Sequence, residues 1–222
     1  MQDTTLTTRA QGRAWTPRRA AALLWALCMS MVSAASAQQT PHPAATVIET
    51  TMSQLRVALE DIDDAPGDTH SDLVIQKVRE IVIPHIDLSL SGRMILGRHW
   101  RTSTDAQRSM FVDAYKELLL RIYAVHALDY LHAKVEILSV APSEQADEFL
   151  TVRTRVTRDA QRPAAVDYRM VRRGDEWRVF DAVVNGVSIV TTLRTTMDQE
   201  IQQSGIDAVN QRLLEKTSAP PS

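Results

Sequence analysis

The first half of the chain carries apolar residues at helical spacing. One such stripe consists of Ile48, Met52, Leu55, Leu59 and Ile62. Intervals of three and four place these residues on one face of an amphipathic helix. A second helix is predicted from about Ser71 until Pro84 stops it. The longest helix is predicted from Thr104, where Thr104 and Gln107 have the spacing of a capping box.

After Leu131 the apolar period changes from about 3.6 residues to two, which is the period of a strand with one buried face. Four strands are predicted, at Lys134–Val140, Phe149–Thr157, Val166–Val171 and Trp177–Val184. Short connections between neighbouring strands favour an antiparallel meander. The pattern therefore predicts an α+β fold, with helices covering one face of a curved antiparallel sheet of about four strands.

The segment after the last strand contains Asn185, Gly186 and Ser188, and helical spacing resumes immediately afterwards. A serine beyond a tight turn invites comparison with the nucleophile elbow, but Ser188 lacks the second glycine of Gly-x-Ser-x-Gly. We therefore expect Ser188 to be the N-cap of a helix that ends at Gly205. A final helix is predicted over Ile206–Lys216.

The N-terminal residues have the pattern of a secretory signal peptide, with four arginines, a short apolar core and an Ala-Ser-Ala end. We predict that residues 1–37 are removed before Gln38, and that residues 38–45 form a flexible leader. Residues 46–216 would then form a single domain of one or two lobes, and residues 217–222 a tail. The expected compartment permits disulfides, but the single cysteine, Cys28, would leave with the signal peptide.

Charge narrows the choice of partners. Removal of residues 1–37 takes away four arginines and one aspartate, which changes the net charge from −2 to about −5. An acidic chain is poorly suited to bind nucleic acid, because proteins that bind nucleic acid present a basic face to the phosphates. We expect no nucleic-acid partner.

The sequence offers few candidates for catalytic or metal-binding residues. None of the histidines has the His-x-x-x-His spacing of a helical metal site, and there is no glycine-rich phosphate loop. Asp87 and Asp181 are the best acid/base candidates. Asp181 is predicted to share a sheet face with Trp177, Val179 and Val183, where burial would raise its pKa. A structural role, in which Asp181 pairs with an arginine or accepts from a backbone amide, is the favoured alternative.

The predicted helices and sheet enclose an apolar region that is either a pocket or a filled core, and periodicity does not separate the two. Its predicted lining is Leu96, Phe111, Leu118, Ile122, Val152, Tyr168 and Val183.

Three segments together resemble the MlaC family, also called toluene-tolerance auxiliary proteins. Ile81–Trp100 has a helix-end proline, an aspartate three residues later and Leu-Gly-x-x-Trp. Phe111–Ala124 is a helix with an early Phe and a late Tyr, and Trp177–Arg194 has Trp-x-Val-x-Asp followed by Gly-Val-Ser and an arginine. The resemblance extends over about residues 46–216.

The resemblance implies a periplasmic phospholipid carrier with a partly NTF2-like fold and an apolar acyl-chain cavity. Its implied partners are phospholipid, an inner-membrane ABC transporter complex with an MCE domain, and an outer-membrane lipoprotein complex. It implies a monomer without cofactor, metal or catalytic residues. The segments that carry the resemblance add further lipid-binding candidates, namely Trp100, Tyr115, Val187 and Arg194.

This chain departs from the family where members often have Asn-Tyr-Arg and then Phe, since it has Thr192-Leu193-Arg194 and Met197. The alternatives are a carrier of another lipid such as a hopanoid, an NTF2-like enzyme for a hydrophobic substrate, or a scaffold without cargo. The enzyme would need a pair such as Asp181 and Tyr168 facing one cavity.

Overall fold

The computed structural model describes residues 41–60, 62, 68–124, 133–144, 146–158 and 162–218. The predicted signal peptide with Cys28, and the segment with His126 and His132, lie outside the described residues. The helices are α1 (Pro43–Glu60), α2 (Asp68–Ile81), α3 (Leu88–Leu96), α4 (His99–Thr102), α5 (Asp105–Ala124) and α6 (Ile189–Ser218), with a short 3-10 helix at Ile83–His85. The strands are β1 (Lys134–Pro142), β2 (Phe149–Thr157), β3 (Ala164–Arg173), β4 (Glu176–Val184) and β5 (Val187–Ser188).

Residues 43–45, which were predicted to belong to a flexible leader, are the first residues of α1. Proline suits the first helical position, where its missing N–H would have no partner, and the Ala44 amide donates to His42 Nδ1 at 3.1 Å. Ala44 and Ala45 are buried against the sheet. Residues 43–45 are therefore part of a packed helix, which local composition alone did not indicate.

Two predicted helix starts are confirmed by their hydrogen bonds. At α5 the Gln107 amide donates to Thr104 Oγ1 at 3.2 Å, and the Thr104 amide donates to Gln107 Oε1 at 3.0 Å. At α6 the Thr191 amide donates to Ser188 Oγ at 3.0 Å. Both caps satisfy amides that have no partner inside their own helix.

The sheet is an antiparallel meander in the order β1-β2-β3-β4-β5, as the short connections predicted. It has one strand more than the pattern indicated, because the two residues of β5 pair with β4 before α6 begins. Leu150, Val152 and Met170 lie on the sheet face that α1 covers, and they pack against Ala44, Ala45 and Ile48 of α1. We call this group the sheet cluster.

The prediction that Asp181 shares a sheet face with Trp177 and Val179 is wrong. Arg169 pairs with Asp181, whereas the next residue, Met170, pairs with Val179, so Phe180 is an extra residue on β4. Such a bulge reverses the alternation of side chains along the strand. Trp177 and Val179 therefore pack in the sheet cluster, and Asp181 points to the opposite face.

A second apolar cluster joins α1, α2 and α5 around Leu59 and Leu120. The third joins α3, α5 and α6, and we call it the helical seam. Its buried members are Ile95, Leu96, Phe111, Ala114, Tyr115, Val190, Met197, Ile201, Val209 and Leu213. Gly205 has φ 79° and ψ 162°, which breaks α6 into two arms, and both arms contribute to the seam.

Candidate functional site

The helical seam encloses a small apolar cavity of about 10 Å³. The cavity is lined by Ile95, Phe111, Tyr115, Leu118, Leu193, Met197 and Leu213. The rings of Phe111 and Tyr115 are stacked in its wall, with centroids 6.4 Å apart. A volume of this size holds about one water molecule. The seam is therefore apolar and nearly closed.

Local sequence explains how three helices meet there. Phe111, Tyr115 and Leu118 are spaced by four and three residues, so they lie on one side of α5. A Cβ atom on Gly92 would lie 2.8 Å from Val112 Cγ2, so a glycine is needed where α3 approaches α5. The break at Gly205 brings the second arm of α6, with Leu213, to the same cavity as Met197.

The structure brings together five of the predicted lipid-binding residues. These are Leu96, Trp100, Phe111, Tyr115 and Leu118, which are buried in the seam or pack against it. Sequence reasoning missed Ile95, Leu193, Met197 and Leu213 as lining residues. The signal for two of them was present, since Leu193 and Met197 follow the helical period of α6.

The other predicted residues lie elsewhere. Val152 and Tyr168 belong to the sheet cluster, and Val183 is half-buried on β4. Ile122 is 46% exposed and Val187, next to the turn before β5, is 62% exposed. Ile122 has the spacing from Leu118 that gives two helical residues the same direction. Spacing does not determine whether another element covers a side chain.

Asp181 has a structural role in this arrangement. Its carboxylate accepts from Arg169 Nη1 at 3.1 Å, Ser188 Oγ at 2.7 Å and the Val190 amide at 3.1 Å. Ser188 therefore donates to a carboxylate while it caps α6, and its hydroxyl is not positioned by a histidine or lysine base. The favoured sequence interpretation of Asp181, pairing with an arginine and with a backbone amide, is confirmed.

Asp87 repeats this arrangement at the start of α3. It accepts from the Leu90 amide at 2.8 Å and from Arg173 Nε at 2.6 Å. Each aspartate thus caps a helix and pairs with an arginine of β3, which ties α3 and α6 to the sheet.

The proposed catalytic pair of Asp181 and Tyr168 does not form. Tyr168 lies opposite Ala182 and packs in the sheet cluster, whereas its neighbour Arg169 lies opposite Asp181. Successive strand residues point to opposite faces. Among the described residues there is also no group of three or more His, Cys, Asp or Glu side chains able to hold a metal ion.

Charged residues cluster at one edge of the seam, where α3 meets α4. Asp198 of α6 lies 2.7 Å from His99 Nε2 and 2.9 Å from Arg98 Nη2. The hydrogen bond with His99 lowers the pKa of Asp198, and the nearby Arg98 charge lowers it further while burial opposes the shift. Arg194, one turn before Asp198, is exposed and lies against Gly97.

A more open groove of about 320 Å³ lies beside Trp100. Its lining is Ser89, Trp100, Asp105, Arg108, Ser109, Val112 and Asp113. The Arg108 guanidinium lies 5.3 Å from the Trp100 ring centroid and also donates to the Trp100 carbonyl. Most of this lining is polar or charged, so the groove is a poorer match to an aliphatic chain than the seam is.

No helix within the described ranges combines the length and the apolar content that a membrane crossing needs.

Three comparisons with known proteins bear on function. The chain is 26% identical over 147 residues to the intermembrane phospholipid transport system binding protein MlaC of Haemophilus influenzae, across 64% of this chain and 68% of that protein. It is 25% identical over 173 residues to toluene tolerance protein ttg2D of Pseudomonas putida, across 77% of each.

The fold is shared with a solved structure, a phospholipid-binding protein from Ralstonia solanacearum in complex with a phospholipid. The TM-score is 0.69 at 22% identity, and the match covers 80% of this chain and 98% of that one. The sequence model of the MlaC protein family matches residues 50–215. That match includes all three segments on which the resemblance was based, from the end of α2 to the first arm of α6. The chain belongs to the MlaC family.

Proposed function

We propose that this protein is a phospholipid carrier that holds acyl chains in the helical seam. The observation that carries the proposal is the seam itself, a junction of three helices lined by apolar side chains. The protein belongs to the MlaC family, and phospholipid is named for the Haemophilus and Ralstonia proteins. Both findings support phospholipid as the cargo.

Lipid entry requires the seam to open. Ligand pockets usually measure about 300–1,000 Å³, far more than the cavity of about 10 Å³ between these helices. Each helix keeps its backbone hydrogen bonds within itself, so α6 can move away from α3 and α5 without breaking them. Side-chain links across the seam are few among the described residues, and they include Asn210 to Gln107 and Asp198 to His99.

The energetics suit a shuttle. Burial of two long acyl chains is worth roughly 25 kcal/mol at about 0.8 kcal/mol per methylene group. A membrane supplies similar burial, so the net free energy of transfer lies near zero when the carrier offers apolar contacts and few polar ones.

The proposed lipid-lining residues are the five predicted ones that reach the seam, together with Leu193 and Met197. Arg194 is proposed as a contact at the edge of the seam. Ile122 and Val187 are left out because they are exposed, and Val152, Tyr168 and Val183 because they lie on the sheet outside the seam.

The proposed route lies in the periplasm, between an outer-membrane lipoprotein complex and an inner-membrane ABC transporter with an MCE domain. The signal-peptide pattern of residues 1–37 and the intermembrane transport named for the Haemophilus relative support this route. A monomer remains the expected state.

The test is purification of the exported protein without detergent, followed by solvent extraction and mass spectrometry of bound lipid. We expect close to one phospholipid per protein, and transfer of labelled phospholipid between two vesicle populations. Absence of lipid, together with no transfer, would favour a scaffold. A hopanoid in place of phospholipid would keep the carrier role and change the cargo.

A further inference from the structure

Arg194 is an exposed arginine whose position depends on a glycine. If Gly97 carried a Cβ, that atom would lie 2.9 Å from Arg194 Nε and 3.1 Å from both Cζ and Nη2. Gly97 ends α3 with φ 52°, in the left-handed region that glycine adopts most easily. The guanidinium therefore packs on the bare backbone at the end of α3.

Arg194 lies beside the seam. Its chain neighbour Leu193 and Met197, three residues on, both line the apolar cavity. Leu96, the residue before Gly97, is buried in the same seam. A molecule whose apolar part lay in the cavity would reach water close to this guanidinium.

Arg194 also lacks a counter-ion within the described part of the chain. The nearest candidate along α6 is Asp198, but its carboxylate is bonded to Arg98, His99 and Gln202. The Asp198 carboxylate is thus already paired with two basic side chains and one side-chain amide. No hydrogen bond or ion pair joins Arg194 to another described residue.

We propose that Arg194 binds the phosphate group of the lipid whose acyl chains occupy the seam. A planar guanidinium donates two parallel hydrogen bonds to a phosphate, which a single ammonium cannot do with the same geometry. The phosphodiester is common to phospholipids, so this contact selects the class of lipid and not one headgroup. The inference rests on the proposed carrier function.

Free inorganic phosphate is a second ligand that an anion site of this kind could bind, so the experiment must separate it from the lipid phosphate. Delipidated protein is offered dioleoylphosphatidylethanolamine or dioleoylglycerol in dodecyl maltoside micelles, or inorganic phosphate alone without lipid, and the bound ligand is measured by native mass spectrometry. The two lipids have the same acyl chains and differ in the phosphate-containing headgroup. The variants are Arg194→Gln and, as a control of equal charge change, Arg172→Gln, whose exposed arginine lies on β3.

We expect Arg194→Gln to weaken phosphatidylethanolamine binding about tenfold, the lower range for a hydrogen bond to a charged group, because the site is exposed. Binding of dioleoylglycerol should not change, and Arg172→Gln should match the parent protein with both lipids. Arg194→Lys should keep part of the affinity, and unchanged melting temperatures would confirm that each variant folds.

Equal loss of both lipids in Arg194→Gln, or no loss of either, would overturn the phosphate site and leave the carrier function standing. Failure of the parent protein to bind phosphatidylethanolamine would remove both proposals. If inorganic phosphate alone binds through Arg194 while lipid affinity is independent of it, the ligand is the free ion and the lipid assignment is wrong.

Discussion

The sheet cluster and the helical seam are both apolar, but they are held together in different ways. In the sheet cluster, Val152 and Met170 sit on strands whose backbones bond to both neighbouring strands. In the seam, the side chains come from α3, α5 and α6, and each helix satisfies its own backbone. Movement of a strand breaks a ladder of hydrogen bonds, whereas separation of two helices exposes mainly side chains.

This difference indicates which part of the molecule can change shape. Asp87 and Asp181 join the first turns of α3 and α6 to β3, so the helix starts are fixed to the sheet. Farther along α6, contact with α5 relies on apolar packing, with Asn210 and Asp207 bonded to Gln107. We infer that the seam opens at a distance from these fixed helix starts.

The largest expected difference in stability is between two methionines, one in each region. Met170→Ala in the sheet cluster should lower the free energy of unfolding by about 3 kcal/mol, because the surrounding strands cannot close the cavity. Met197→Ala in the seam should cost about 2 kcal/mol, the low end of the usual range, because helices that can shift fill the space more easily. Urea unfolding of the delipidated proteins measures both values, and equal costs would contradict the comparison.

The junction between the two regions is the next test. Asp181→Ala should cost about 2 kcal/mol, since it removes one helix cap and leaves Ser188 and Arg169 without their shared acceptor. Ser188→Ala removes only the hydroxyl cap and should cost about 1 kcal/mol. Both should still carry lipid when folded. Loss of lipid transfer in a folded Ser188→Ala protein would revive a chemical role for that serine.

Two tryptophan variants on α5 separate the seam from its exposed continuation. Leu118→Trp should change the stability of lipid-free protein by less than about 1 kcal/mol, below the 1–3 kcal/mol usual for an overpacked core, because the helices can part. It should nevertheless abolish lipid binding by filling the space of the acyl chains. Ile122→Trp, at an exposed position one turn away, is the matched control and should retain lipid. Melting curves and lipid content for both variants show whether the acyl chains occupy the space beside Leu118 and not the space beside Ile122.

The smallest expected effect is that of an ion pair between α2 and α5. Arg79 donates from Nη1 and Nη2 to the two carboxylate oxygens of Glu117, at 2.7 and 2.8 Å. This hydrogen bonding lowers the pKa of Glu117. Because the pKa is lowered on folding, the ion pair contributes its full stability at a pH above the ordinary pKa of glutamate. This contribution is lost as the pH falls through the lowered pKa.

Glu117→Gln should therefore cost about 0.5 kcal/mol at pH 7, because the pair is partly exposed and screened. The difference from the parent protein should disappear well below about pH 4. Unfolding curves across this range test the sign. Asp113→Asn, which removes a pair with Lys116 within α5, serves as the control, and an equal effect would argue against a specific link between helices.

The sequence predicted those features that depend on nearby residues. The capping box at Thr104, the cap at Ser188 and the order of four strands all follow from residues a few positions apart. The bulge at Phe180 could not be predicted, because it is set by the register of β4 against β3 and leaves period two intact on either side. The contact between Arg194 and Gly97 joins residues far apart in the chain, and neither residue has a local pattern that indicates it. The exposure of Ile122 likewise depends on which element covers α5.

The location of the acyl chain within the protein can be measured directly. A phospholipid with a photoactivatable diazirine in its acyl chain is loaded, irradiated and mapped by mass spectrometry of proteolytic peptides. If the acyl chains lie in the seam, adducts will fall on peptides that contain Phe111, Leu118, Leu193 or Met197. Adducts concentrated on peptides of the sheet cluster, around Val152 and Met170, would show instead that the lipid lies between α1 and the sheet, and that the seam is not the acyl-chain site.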